Sequence, residues 1–239
     1  MRLFSLRVLV TSLALSLVLS LTLKSGAVSA AAPDMYDDDV LVDCKPTLEV
    51  KDITYYPGPD DIGRTNNLRR KTGIAVVAKG EPIYVVGRVV DKDCVPISDA
   101  RVEMWQANTF GKYSHPADKS DNLKDDNFIG SGFTKTDNLG QFTFLTIFPG
   151  SKDDKSAPRV HFRVQHPEFK EVYTEMYFPE QEKNYKDEAL SKDKSRLDAL
   201  SAKVKFESRE GQYRVERIDG DMVYHFVITM DGKNRFRRY

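Results

Sequence analysis

Apolar residues in this chain are concentrated in short runs that alternate with polar residues or are rich in β-branched side chains. Such runs predict β-strands, because successive side chains of a strand point to opposite faces of the sheet. Seven segments have this pattern: residues 83–90, 100–106, 141–148, 160–165, 172–178, 213–218 and 222–229. Turn-forming sequences separate them, and residues 218–221 (IDGD) are typical of a hairpin tip. Seven or more short strands with irregular connections predict an all-β fold, either a sandwich or a barrel.

Two other segments of the chain depart from the strand pattern. Residues 186–202 contain helix-forming residues with Leu190, Leu197 and Leu200 at loosely helical spacing, so we expect one short helix or helical loop there. The connection at residues 108–132 is too long for an ordinary hairpin loop, and long ordered loops are often functional. We therefore expect this loop to border a site.

The first thirty residues have the layout of a secretory signal peptide. Arg2 and Arg7 precede an apolar run at positions 8–23, and small residues, including Val28 and Ala30, follow it. The run has sixteen residues, fewer than the roughly 20 needed to span a bilayer. We expect cleavage after Ala30, export to the periplasm or the cell exterior, and no stable membrane span afterwards. The alternative is an uncleaved membrane anchor.

The rest of the chain is interpreted as a linker followed by one domain. Residues 31–44 are acidic and have little to bury, which predicts a linker, whereas no repeat or change of composition divides residues 45–235. The chain has 36 basic and 36 acidic residues, and removal of the leader takes away three basic ones, which leaves a net charge of about −3. Without a basic excess, the chain is not expected to bind nucleic acid.

Both cysteines, Cys44 and Cys94, lie in the segment that export would carry out of the cytoplasm. An oxidising compartment would allow them to pair. Because the bridge would close a long loop, it would add about 3 to 4 kcal/mol of stability in the chain-entropy model. Two free thiols, or bridges between chains, are the alternative.

Several common catalytic motifs are absent from the sequence: a glycine-rich phosphate loop, a G-x-S-x-G elbow, a C-x-x-C pair and an H-E-x-x-H helix. The chain has four histidines. His115 and His166 each precede a proline and are predicted to be turn residues, and His225 has no cluster of similar residues near it in the sequence. His161 lies on the polar face of the predicted strand 160–165, on the same side as Arg159.

An ordered set of short motifs carries a family resemblance. The motifs are YYPGPDD (55–61), VEMWQAN (102–108), GKYSHP (111–116), NFIG (127–130), PG (149–150), HF (161–162) and MYF (176–178). Over about residues 50–232 the chain resembles the intradiol ring-cleavage dioxygenases, most closely the β chain of protocatechuate 3,4-dioxygenase. The resemblance implies a β-sandwich with long loops and one short helix.

The resemblance also implies a cofactor and a reaction. Members of this family hold a non-haem Fe(III) ion through two tyrosines and two histidines, and they open the ring of a catechol with O₂. Fe(III) is a hard, highly charged acid, which phenolate oxygens and imidazole nitrogens suit. Carried over to this sequence, the resemblance implies that Tyr113 is the first tyrosine ligand and His161 the second histidine ligand.

Other expected site residues are replaced in this sequence. Arg159 stands where the resemblance implies the first histidine, and residues 151–154 (SKDD) follow Pro149-Gly150 where a second tyrosine is expected. Ser156 stands in place of an arginine that supports the substrate, and Glu175 in place of a glutamine. The candidate site residues are therefore Tyr113, His161, Arg159 and Glu175 in an incomplete ligand set.

Arg159 bears on whether iron binds at all. A guanidinium is charged at any relevant pH, and at about 4 Å from a trivalent ion the repulsion is on the order of 12 kcal/mol for an effective dielectric constant near 20. We therefore infer that Arg159 takes the place of the metal's charge. With Tyr113 and His161 it could line a cleft for a small anion, such as an aromatic acid.

Three functional hypotheses remain open. The first is an exported, catalytically degenerate binding or structural subunit, with a small aromatic or anionic ligand or a paralogous dioxygenase chain as its partner and with no cofactor. The second is an active Fe(III) dioxygenase for a catechol-like compound, with Glu175, Asp153, Asp154 or Tyr177 among its replacement ligands. The third is an interaction module of the cell envelope in which the cleft has no role.

Overall fold

The computed structural model of this chain describes residues 44–51, 53–209 and 212–232. The predicted signal peptide and residues 31–43 of the predicted linker lie outside this part. Within it, no helix is both long enough and apolar enough to cross a bilayer.

The described residues form two four-stranded sheets and a small separate hairpin. The strands in chain order are β1 (Pro82–Val90), β2 (Arg101–Gln106), β3 (Ser131–Lys135), β4 (Gln141–Ile147), β5 (Arg159–His166), β6 (Phe169–Tyr177), β7 (Phe206–Arg209), β8 (Gln212–Val215), β9 (Arg217–Ile218) and β10 (Asp221–Thr229). The first sheet has the order β4-β1-β10-β9, in which β1 and β10 are parallel. The second sheet, β3-β2-β5-β6, is antiparallel throughout. Strands β7 and β8 pair only with each other.

The two sheets share one apolar core. Phe162 of β5 lies between Phe142 of the first sheet, at 6.0 Å between ring centroids, and Phe226 of β10, at 5.8 Å. Each fully buried side chain of this kind contributes about 1.5 to 3 kcal/mol. The alternate residues of β5, beginning with Arg159 and His161, point away from the core, as the sequence pattern predicts. The predicted all-β sandwich is therefore confirmed, and its polar outer face carries the candidate residues.

The prediction of one short helix or helical loop over residues 186–202 is correct about helical structure but wrong about a single continuous helix. A short 3-10 helix, Glu182–Tyr185, comes first, and α1 (Glu188–Lys192) and α2 (Lys194–Leu200) follow. Asp193 separates the two α-helices, because its backbone is extended and its side chain accepts a hydrogen bond from the Ser195 amide as the N-cap of α2.

The sequence pattern also missed two strands. Strand β3 contains Gly132, where a β-carbon would come within 2.1 Å of the Thr65 carbonyl oxygen. Packing therefore requires glycine at this position, and the glycine interrupts the pattern that identifies a strand. The short β7 has two charged residues among its four. The predicted strand 213–218 is two strands, β8 and β9, whereas the hairpin tip at Asp219-Gly220 is confirmed by its left-handed backbone angles.

The N-terminal arm, defined here as residues 44–57, is attached to both sheets. Cys44 and Cys94 form a disulfide, which resolves the alternatives that the sequence left open. The Thr47 amide donates to the Thr229 carbonyl at 3.0 Å, and the Val50 amide donates to the Tyr173 carbonyl of β6 at 2.8 Å. The arm thereby reaches the polar face of the second sheet.

Candidate functional site

The long loop at residues 108–132 places Tyr113 next to the polar face of β5. The Asn108 side chain accepts a hydrogen bond from the Lys112 amide at 3.0 Å, and Asp118 accepts one from the Tyr113 amide at 2.8 Å and one from the Ser120 amide at 2.9 Å. Short polar side chains that bind nearby amides are the usual means of fixing an irregular loop. The loop is therefore ordered around Tyr113.

Tyr113 and His161, 48 positions apart, are brought into direct contact. The Tyr113 hydroxyl lies 2.9 Å from His161 Nε2, and the Trp105 indole stacks on the imidazole at 5.2 Å between centroids. Burial raises the pKa of Tyr113, Arg159 lowers it and Glu175 raises it, with a net rise. The two ligand positions that survive in the sequence are thus adjacent in the structure.

Arg159 is held by four acceptors. Its Nε donates to the Ala157 carbonyl at 3.2 Å, and its Nη1 donates to the Tyr177 hydroxyl at 2.9 Å. Nη1 also lies 3.5 Å from Glu175 Oε2, and Nη2 forms an ion pair with Asp187. The guanidinium is therefore fixed in position at the site.

Glu175 is a buried carboxylate with several partners. It accepts hydrogen bonds from the Tyr177 hydroxyl at 2.6 Å and from Arg196 Nη2 at 2.8 Å, and it lies 3.8 Å from His161 Nδ1. Burial alone would raise the pKa of Glu175, but the charges of Arg159 and His161 and the hydrogen bonds from Arg196 and Tyr177 bring it below its usual value. Glu175 is thus the anion that partners the arginines.

Asp187 is a site residue that the sequence reasoning missed. Its side chain caps α1 by accepting from the Ala189 and Leu190 amides, and it also accepts from the Ala157 amide at 2.9 Å and pairs with Arg159. An aspartate before a short helix is a recognisable N-cap signal. Nothing in the sequence, however, connects residue 187 with Arg159. Because Arg159 pairs with Asp187 and Glu175, its charge is balanced within the protein.

A cavity of about 150 Å³ opens between these groups. Its lining residues are Ile53, Thr54, Tyr55, Trp105, Tyr113, Gly150, Lys152, Ser156, Ala157, Arg159 and His161. The Lys152 ammonium lies 5.0 Å from the centre of the Tyr55 ring, and hydrogen bonding to Tyr55 raises the pKa of Lys152. Lys152 is two positions after Pro149-Gly150, where the resemblance implies a second tyrosine.

The donors at this site do not fit a ferric ion. Tyr113 and His161 are present, but Arg159 stands where another ligand is expected, and Lys152 is the residue of the segment 151–154 that lines the cavity; both are cations. Among the described residues, no group of three or more histidine, cysteine, aspartate or glutamate side chains is arranged to hold a metal. Two phenolates could offset the charge of Fe(III), whereas two cations add to it.

The suggested replacement ligands have other partners. Glu175 and Tyr177 bind each other and Arg159. Asp153 accepts from the Lys155 amide at 2.9 Å and the Ser156 hydroxyl at 2.7 Å, and Asp154 is fully exposed opposite Lys183. A rearranged ligand set built on these four residues is therefore not formed in the structure.

The remaining three histidines have other hydrogen-bond partners. His115 and His166 accept hydrogen bonds from the amides of Ala117 and Glu168, as expected of turn residues. His225 is buried with its Nε2 2.6 Å from Glu216.

Comparison with known proteins identifies the family. A family model described as "Dioxygenase" matches residues 61–228, which is more than half of the chain. The chain belongs to the intradiol ring-cleavage dioxygenase family. It is 37% identical over 133 residues to the protocatechuate 3,4-dioxygenase β chain of Burkholderia cepacia, covering 51% of this chain and 55% of that protein. It is 35% identical over 124 residues to a Rickettsia typhi protein with a provisional dioxygenase name, covering 49% and 59%.

The dioxygenase fold is shared with solved structures of low sequence identity. The dioxygenase domain of a carbohydrate-binding fusion protein from Streptomyces sp. SirexAA-E aligns with a TM-score of 0.55 at 24% identity, covering 78% of this chain and 99% of that one. An intradiol ring-cleavage dioxygenase from Tetranychus urticae aligns with a TM-score of 0.58 at 18% identity, covering 80% and 98%. At these identities the likeness shows the fold alone. This dioxygenase-family chain spans little more than half the length of the two curated relatives above.

Proposed function

We propose that this chain is a catalytically degenerate member of the dioxygenase family that binds a small aromatic anion in the 150 Å³ cavity. One observation carries the proposal: Arg159, at the position of one missing iron ligand, and Lys152, in the segment 151–154 where the other is expected, both line the cavity. The replacements change the site from one that neutralises a cation to one that attracts an anion.

The charges around the cavity support an anionic ligand. Arg159 and Arg196 are balanced by Glu175 and Asp187, so Lys152 is an additional positive charge on the cavity wall. A guanidinium has five N–H donors, and Arg159 uses four contacts within the protein, which leaves one donor for a ligand. Hydrogen bonds between such groups and a carboxylate are charge-assisted and strong.

The apolar part of the cavity suits an aromatic ring. Tyr55, Trp105 and Tyr113 provide flat walls, and a cavity of about 150 Å³ accommodates a benzene-sized molecule. A carboxylate attached to one ring would place its ring against the aromatic side chains and its charge near Lys152 and Arg159. Benzoate is the simplest probe of this class.

The binding test uses the single tryptophan of the chain, because Trp105 lines the cavity and its fluorescence reports occupancy. We expect benzoate to bind, benzyl alcohol of similar size to bind at least tenfold more weakly, and Lys152→Met to weaken benzoate binding about tenfold, near 1.4 kcal/mol. Lys155→Met is the matched control, because Lys155 is exposed in the same loop and does not line the cavity. Equal binding of the two probes, or equal effects of the two variants, would contradict the proposal.

A second candidate function is ring cleavage with an incomplete ligand set. The observation in its favour is that the Tyr113 hydroxyl and His161 Nε2 lie 2.9 Å apart, a separation at which two atoms can bind one ion. Its test is O₂ consumption with catechol or protocatechuate after addition of Fe(III). Turnover that disappears in Tyr113→Phe would establish this function, and its absence in the wild type would reject it.

We also propose that the chain is exported and that a paralogous, iron-bearing dioxygenase chain is its protein partner. The Cys44–Cys94 disulfide supports export, because such bridges persist mainly in oxidising compartments. Mass spectrometry of the purified protein tests it: the proposal predicts a mature chain that begins at Ala31, and an intact leader would contradict it. Co-purification of an iron-containing paralogue from the source cells tests the partner.

A further inference from the structure

A second cavity adjoins the proposed anion site. Its volume is about 370 Å³, and its wall includes Pro57, Asp61 and His115. Three aromatic residues line both cavities, namely Tyr55, Trp105 and Tyr113. The two volumes are therefore neighbours separated by aromatic side chains.

Tyr55 and Tyr113 form the partition as a stacked pair. Their ring centroids are 4.4 Å apart and their planes differ by 14°. The Lys152 ammonium lies 5.0 Å from the centre of the Tyr55 ring, and the His115 ring lies 6.1 Å from it and edge-on. Lys152 lines the first cavity and His115 lines the second, so the stacked pair is in contact with the walls of both.

The two halves of this partition come from different parts of the fold. Tyr113 belongs to the ordered loop and is 8% exposed, whereas Tyr55 belongs to the N-terminal arm. The next residue anchors the arm, because the Tyr56 hydroxyl donates to Glu103 at 2.9 Å and accepts from Arg163 at 2.6 Å. Removal of the Tyr55 ring would therefore open the partition while Tyr56 keeps the arm in place.

We propose that Tyr55 is a specificity-determining residue that limits the ligand of the anion site to one aromatic ring. This inference rests on the proposed function, since it concerns the size of the same ligand. With the ring present, the anion cavity has room for a benzene-sized group. Without it, the two cavities join, and a two-ring carboxylate fits with its charge near Lys152 and its second ring in the larger volume.

The size test compares benzoate with 2-naphthoate by calorimetric titration. We expect the wild type and Tyr55→Phe to prefer benzoate by at least tenfold, because phenylalanine retains the ring. Tyr55→Ala is expected to reverse this preference. If Tyr55 only supported the fold, Tyr55→Ala would weaken the binding of both ligands by the same factor. An unchanged ratio of the two affinities in Tyr55→Ala would therefore overturn the inference. Equal affinity of the wild type for both ligands would also overturn it.

A second readout separates this inference from the proposed function. Trp105 is 3% exposed behind the partition, so quenching of its fluorescence by neutral acrylamide should increase severalfold in Tyr55→Ala and stay unchanged in Tyr55→Phe. This result does not depend on anion binding. If the wild type binds no benzoate, the proposed function fails, while unchanged quenching in Tyr55→Ala overturns the partition. Tyr55→Leu serves in both assays if the alanine variant does not fold.

Discussion

Two arginines on the polar face of β5, Arg159 and Arg163, each form a triad with a tyrosine and a glutamate. Arg159 donates to the Tyr177 hydroxyl at 2.9 Å, and Tyr177 donates to Glu175 at 2.6 Å. His161 lies between the two arginines on the same strand face. The Arg159 triad borders the cavity of about 150 Å³, because the guanidinium is part of its wall.

The Arg163 triad has the same arrangement of side chains but borders neither of the two cavities. Arg163 donates to the Tyr56 hydroxyl at 2.6 Å, and Tyr56 donates to Glu103 at 2.9 Å. Arg163 also binds Glu171 at 2.8 Å, and it lines neither of the two cavities described above. Its partners come from the arm, β2 and β6, so Arg163 joins β5 to three other segments of the chain.

The comparison shows that residue type alone does not assign a role to a buried charge. The Arg163 triad lines neither cavity, and its hydrogen bonds connect the arm to the second sheet. The Arg159 triad has similar internal contacts but one side open to a cavity, where its remaining donor can meet a ligand. Substitutions in the Arg159 triad should therefore change ligand affinity, whereas those in the Arg163 triad should change stability.

The largest expected effect is on stability in the Arg163 triad. Glu103 is completely buried and pairs with Arg163 and Arg101, so Glu103→Ala removes a buried carboxylate from two ion pairs, although Arg163 keeps Glu171. Removal of one partner of a buried ion pair lowers the free energy of unfolding by about 3 to 5 kcal/mol. Urea denaturation measures this, with the exposed Glu168→Ala as a control expected to change stability by less than about 0.5 kcal/mol. A similar free energy of unfolding for the two variants would show that the Arg163 triad does not stabilise the fold.

The next effect concerns the disulfide that attaches the arm. Replacement of Cys44 and Cys94 by serine should lower the free energy of unfolding by about 2 to 4 kcal/mol, because the bridge restricts the unfolded chain. Urea denaturation of the wild type after treatment with dithiothreitol is the matched control and should give the same loss. An unchanged urea concentration at the midpoint of unfolding after complete reduction would show that the bridge does not stabilise the protein.

The sharpest contrast between the triads is in ligand binding. Arg159→Met should weaken benzoate binding about tenfold, near 1.4 kcal/mol, because it removes a donor from the cavity wall. Arg163→Met should change benzoate affinity less than about twofold, because Arg163 lines neither cavity, but it should lower stability, because Arg163 pairs with the buried Glu103. Fluorescence titration and urea denaturation measure the two quantities. Equal losses of affinity in both variants would erase the distinction between the triads.

The smallest expected effect is the response of binding to alkaline pH. The contact with Tyr55 raises the pKa of Lys152, above a reference value of about 10.4 for lysine. Its ammonium therefore remains charged, and benzoate affinity should vary less than about twofold between about pH 7 and about pH 9. The affinity should decline only as the pH rises through the elevated pKa of Lys152. A decline already complete at about pH 9 would show that another group carries the charge.

The sequence predicted some parts of this site and not others for physical reasons. Alternation along β5 placed Arg159 and His161 on the polar face, because strand geometry is local. The family motifs supplied Tyr113. Asp187, in contrast, meets Arg159 only after the segment before α1 folds against β5. The motif drew attention to residues 151–154, but nothing in the sequence shows that the Lys152 ammonium lies beside Tyr55.

The fold was predicted to a similar extent. The long alternating runs identified the sheet strands of the core, since burial imposes a regular pattern on them. The pattern was weak in β3, where the close approach of backbone at Gly132 excludes side chains, and the helical region was predicted without its interruption at Asp193. The disulfide could not be decided from the sequence, because two cysteines do not reveal their separation in space.

The iron content of the protein purified from its source organism tests the central claim most directly. With Arg159 at the position of one missing donor and Lys152 in the segment where the other is expected, we expect iron far below one ion per chain and no visible tyrosinate-to-iron absorption band. Near-stoichiometric iron together with such a band, lost in Tyr113→Phe, would contradict the account.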